Sequence, residues 1–142
     1  MKVIVAVGGM LLAVLAAAQT STVEVTDAYV RAMPPGRTVT AGFFEIANRG
    51  DQDCRLEAAK TDIAGATELH THIHEDGKMK MRQVPGIDLP AGEQLSFKPG
   101  GLHVMLFRVR PLKDGEPVEM VLEFADCDPV VVQAEVRSIK RK

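Results

Sequence analysis

Residues 68–84, ELHTHIHEDGKMKMRQV, decide the fold. The Asp-Gly pair at 76–77 is the strongest short hairpin signal, a two-residue type I′ turn between two strands. Residue types alternate on both sides of it, as in strands whose successive side chains point to opposite faces. Such a turn pairs Glu75 with Lys78, His74 with Met79 and His72 with Met81. One face then carries His70, His72, His74, Met79 and Met81, with His70 diagonal to Met81. The other face carries Leu69, Thr71, Ile73, Lys78 and Lys80, a mixed surface.

Outward from the hairpin the pattern repeats. VEVTDAYVRA (23–32), TVTAGFFEIANRG (38–50) and CRLEAAKT (54–61) precede it. IDLPAGEQLSFKPGG (87–101), LHVMLFRV (102–109), PVEMVLEFAD (117–126) and PVVVQAEVRSI (129–139) follow. Short β-like runs with Gly, Pro, Asp or Asn turns at intervals of about 8 to 12 residues predict an all-β sandwich or small barrel. No stretch beyond the N-terminus keeps helical periodicity, and the 142 residues are the size of one domain.

The first residues read differently. Lys2 precedes the apolar run VIVAVGGMLLAVLAAA, which ends in Ala16-Ala17-Ala18 before Gln19. A charged start, an apolar stretch and a small-residue cleavage site form a secretory signal peptide over 1–18. A short transmembrane anchor is the other reading, but the run is below the roughly 18–20 apolar residues a span needs and no basic stop follows it. The expectation is an exported, periplasmic domain over 19–142 with no stable membrane insertion. Two cysteines, Cys54 and Cys127, both flank turn-like stretches. In an oxidising compartment they can pair as a disulfide; alternatively Cys54, in register with Leu56, is a small buried hydrophobe.

Composition excludes several functions. With 17 basic and 19 acidic residues there is no electrostatic case for nucleic acid. Trp is absent, which argues against a stacking platform. No nucleophile–base pair, paired carboxylates or Gly-rich phosphate loop stands out, so no enzyme is expected.

What remains is a ligand pattern. All four histidines fall in two segments, the hairpin and GLHVMLF, and both segments place Met on the same face as His. His103 and Met105, at i and i+2, share a face in a strand. Taken singly, a strand Met is core filler and a strand His is ordinary; the clustering is what points to metal. Thioether sulfur is soft and neutral and suits Cu(I) better than Zn(II). Two Met and two His leave only the imidazoles to titrate. A blue-copper site is excluded, because neither Cys lies in the His/Met segments.

The spacing His70-x10-Met81-x21-His103-x-Met105 resembles the signature of the periplasmic copper chaperones called PCu(A)C proteins. VRAMPPG, NRGD, ELH, MKMRQV, LPAG, KPGGLHVML and PLKDGEPV resemble that family too, over residues 23–136. The resemblance implies a cupredoxin-like, Greek-key β-sandwich with an accessible Cu(I) site made by His70, Met81, His103 and Met105. It also implies a copper-accepting partner: the copper domain of cytochrome c oxidase or another copper-assembly factor. Many members carry Met near the positions of His72 and His74, and some carry a long His/Met-rich tail, which is not expected here. His72, His74 and Met79 are therefore candidates for a weaker secondary site able to take Cu(II), since imidazole is the harder donor. A storage or detoxification binder needs the same ligands as a chaperone, so both readings stay open. So do a thiol-based role for the cysteines and an incidental His/Met pattern.

Overall fold

Asp76 and Gly77 both have positive φ, 52° and 73°, as a type I′ turn requires. The computed structural model that contains them describes residues 22–139. The signal peptide expected over 1–18 lies outside these residues, as do the two ends of the domain expected over 19–142.

Ten strands follow in chain order: β1 Val23–Arg31, β2 Thr40–Asn48, β3 Cys54–Lys60, β4 Ala66–Glu75, β5 Lys78–Gln83, β6 Ile87–Leu89, β7 Gln94–Phe97, β8 His103–Phe107, β9 Pro117–Ala125 and β10 Val130–Arg137. Among the described residues no helix forms, and so none is long and apolar enough to cross a membrane. The hydrogen-bonded path runs β5-β4-β8-β2-β1-β10-β9-β3-β6, with β7 joined to β2. It curls on itself into the sandwich: the Thr67 hydroxyl of β4 donates to the Ala59 carbonyl of β3, near the two ends of the path.

Side-chain alternation sets the faces. In β10, Val132, Ala134 and Val136 are buried while Gln133 and Glu135 are exposed; β9 opposes them with buried Val118, Met120 and Leu122. Each buried Val, Leu or Met side chain among them contributes roughly 1.5–3 kcal/mol. β2 is buried along nearly its whole length, because it is paired with β1, β7 and β8. Its Phe44 stacks on Phe97 of β7 at 4.4 Å between ring centroids. Asp27, at φ 52°, marks a register shift in β1 between Thr26 and Tyr29. Beyond it β1 also pairs in parallel with β10.

Cys54 and Cys127 form a disulfide across 73 residues, which resolves the alternative left open by sequence. Cys54 is also buried, so it fills the core as well as closing the loop.

Candidate metal centre

The register of the hairpin is the expected one: His74 opposes Met79 and His72 opposes Met81, while His70 opposes Gln83. What sequence could not place is the strand beside it. β8 pairs with β4 so that His70 stands opposite His103 and Glu68 opposite Met105. Strand parity then puts Glu68, His70, His72, Met81, His103 and Met105 on one face of three adjacent strands. His74 and Met79 share that face at the hairpin tip.

His103 is the buried member, 3% exposed. Its Nδ1 donates to the Gly101 carbonyl at 2.9 Å, and its Nε2 is buried with no partner. Burial holds its imidazole below the ordinary value of 6.5. The Gly101 bond opposes that shift, while neighbouring His70, His72 and Arg31 add to it. A neutral ring with a bare, inward nitrogen is a metal donor in waiting.

The other two rings flank it, His72 at 5.3 Å and His70 at 5.5 Å between centroids. His72 Nδ1 donates to the same Gly101 carbonyl at 3.1 Å. A carbonyl only accepts, so Nδ1 carries the proton and Nε2 carries the lone pair. His70 is turned the other way. Its Nε2 donates to the Glu68 carboxylate at 2.6 Å, which leaves Nδ1 bare, buried and unpartnered.

A cavity of about 360 Å³ opens on this face. Its wall includes His72, Met81, His103 and Met105, with Phe43 and Arg31 beside them. Three of the four expected ligands therefore meet there. His70 is not part of the wall, and His72 supplies the second imidazole. Among the described residues no three His, Cys, Asp or Glu side chains form a metal-holding group; the cavity's donors are two imidazoles and two thioethers. Met81 is half exposed and Met105 half buried, so the two thioether side chains differ in access to solvent. The Arg31 guanidinium lies over Phe43, 5.4 Å from its ring centre, and the Phe43 ring is in turn 6.4 Å from His103.

Sequence reasoning missed Glu68 and the Gly101 carbonyl. Glu68 was findable, because a residue two before His70 shares its face in a strand. Gly101 was not, because its carbonyl is aimed by a tight loop. There Gly100 has φ 83° and the Gly101 N–H donates to the Lys98 carbonyl at 2.9 Å.

Comparison with known proteins agrees with the architecture. The model of the LpqE-like lipoprotein family matches residues 23–136. Lxx21020 of Leifsonia xyli subsp. xyli is 32% identical over 118 residues, 80% of this chain and 70% of that one. The solution structure of apo-DR1885 from Deinococcus radiodurans is 34% identical with a TM-score of 0.66, covering 98% of this chain and 95% of that one. The same protein has been solved as CuI-DR1885, at 33% identity and TM-score 0.65, covering 87% and 81%. A copper-bound PCuAC domain from PmoF2 has the same fold, with a TM-score of 0.69 at 23% identity over 83% of this chain and 94% of that one.

Proposed function

The chain belongs to the LpqE-like lipoprotein family and has the fold of PCuAC domains, and on that premise we propose that it is an extracytoplasmic copper chaperone. Its cargo is Cu(I), held by two imidazoles and two thioethers drawn from the shared face of β4, β5 and β8. His70, Met81, His103 and Met105 are the ligands that the resemblance of their spacing to the PCu(A)C signature implies. The observation that carries the reading is the pair of bare, buried nitrogens, His70 Nδ1 and His103 Nε2, on directly opposed residues. A buried polar atom without a partner is costly unless something binds it. The neighbouring Met81 and Met105 sulfurs make a soft cation the fitting occupant. DR1885, a relative at one-third identity, has been solved with Cu(I).

Exposure of the donor set supports a delivery role. Met81, 49% exposed, leaves one side of the donor set open to an acceptor's ligands. Val39 and Met81, both exposed on the cavity wall, give that side an apolar edge on which a partner can seat. The acceptor is the copper domain of cytochrome c oxidase or a copper-assembly factor, reached in the periplasm after removal of 1–18. His74 and Met79, opposed at the hairpin tip, together with His72 supply a weaker position able to take Cu(II).

The deciding experiment mixes the Cu(I)-loaded protein with a purified apo oxidase copper domain and follows metal transfer. Transfer at one equivalent supports a chaperone. Tight Cu(I) binding with no transfer to any assembly factor supports storage or detoxification instead. X-ray absorption of the loaded protein, counting two sulfur and two nitrogen donors, tests the ligand set.

A further inference from the structure

We infer that His72 is a second imidazole for the Cu(I) position, interchangeable with His70. Two overlapping donor sets then share Met81, His103 and Met105. The inference rests on the copper-binding reading above, and concerns which imidazole completes the set.

Three observations carry it. His72 lines the cavity with the three shared donors, whereas His70 does not. His72 is the cross-strand partner of Met81, so imidazole and thioether leave the sheet side by side; His70 reaches Met81 only along the diagonal. The Gly101 carbonyl fixes the tautomers of His72 and His103 alike, leaving Nε2 as the free nitrogen on both. His70, by contrast, has committed its Nε2 to Glu68 and offers Nδ1.

Cu(I) is satisfied by few soft donors, so it does not need both flanking imidazoles together. The grouping of the described residues agrees, since the three rings do not converge as one three-nitrogen site. Alternate use suits a protein that must release its cargo. His70 holds the ion with a buried nitrogen, and His72 holds it at the cavity wall. Moving from one to the other exposes the ion without leaving it short of donors.

The test is a double-mutant cycle on the whole protein, using competition for one equivalent of Cu(I) against a chromogenic chelator. His70→Ala and His72→Ala should each lower affinity by less than about tenfold, and the double variant by more than about a hundredfold, well beyond the sum of the singles. X-ray absorption should count two nitrogens in the wild type and in each single variant, and one in the double. A parallel Gln series preserves side-chain volume, and thermal melts confirm folding. If His70→Ala alone loses as much as the double variant, the inference is overturned. If the wild type takes no Cu(I), it falls together with the chaperone reading. If the wild type binds and loses copper on Met81→Leu or Met105→Leu while His72→Ala changes nothing in the His70→Ala background, only the role of His72 falls.

Discussion

His72 and His103 share one hydrogen-bond acceptor: the Gly101 carbonyl oxygen lies 3.1 Å from the Nδ1 of the first and 2.9 Å from that of the second. One peptide group thus sets the tautomer of two rings on different strands, before any metal arrives. Outer partners of this kind fix ring orientation and keep the ligating nitrogen basic. The loop is held in turn by the Lys98 N–H, which donates to the Leu102 carbonyl at 3.0 Å.

In the proposed arrangement His103 belongs to both donor sets, so no other imidazole would replace it. His103→Gln should cost roughly a hundredfold or more in Cu(I) affinity, beyond the range typical of losing an outer partner. His70→Ala and His72→Ala should each cost less. Competition titration at one equivalent checks the ranking. Thermal melts of the apoproteins separate lost coordination from lost packing, because His103 is buried.

Thioether coordination can be separated from side-chain volume. Leu replaces Met at nearly constant volume, with a stability cost below about 1.5 kcal/mol. Met81→Leu and Met105→Leu should therefore leave the fold intact and weaken Cu(I) binding sharply. X-ray absorption should then show one sulfur fewer in each. An unchanged sulfur count would remove that methionine from the ligand set.

The hairpin was legible because a strand's period of two and an Asp-Gly turn are local facts. The expected pairs His74–Met79 and His72–Met81 are the observed ones. The alternation of β9 and β10 was legible for the same reason. The strand next to the hairpin was not. His70 and His103 are opposed only because β8 inserts between β4 and β2, a pairing between distant segments that periodicity cannot encode. How the surroundings of His70 and His72 differ was hidden for a related reason. Both lie on the same face; the cavity, the Gly101 carbonyl on His72 and the Glu68 carboxylate on His70 tell them apart. The cysteine pairing likewise waited on how β3 and the segment after β9 meet in space.

The disulfide should carry a large share of stability. Closing a loop between Cys54 and Cys127, at a sequence separation of 73, removes unfolded-chain entropy worth about 4 kcal/mol. Cys54→Ala/Cys127→Ala, or reduction, should lower the melting temperature by roughly 10–20 °C. Copper binding to whatever fraction stays folded should persist, because the proposed ligands lie on β4, β5 and β8, none of which carries a cysteine. Loss of copper binding by fully folded Cys variant would instead favour a direct role for the thiols.

The depressed pKa of His103 makes two pH predictions with definite signs. Burial, the largest cause, puts its folded value below the 6.5 of a free imidazole. Between that lowered value and 6.5 the unfolded chain binds the proton and the folded chain does not. Apoprotein stability therefore rises with pH through this window and falls as the pH is lowered below 6.5. His103→Gln should flatten that part of the stability profile, as measured by denaturant unfolding at a series of pH values. Metal binding needs the neutral ring, so His103, as a proposed ligand, should remain able to donate at acidities where a free imidazole is already protonated. The Cu(I) affinity of the wild type should accordingly fall with acid, with the His103 step placed below pH 6.5. A profile flat down to about pH 4 would mean that no imidazole ligates. A His103 step at or above 6.5 would mean that its ring is not buried in the apoprotein.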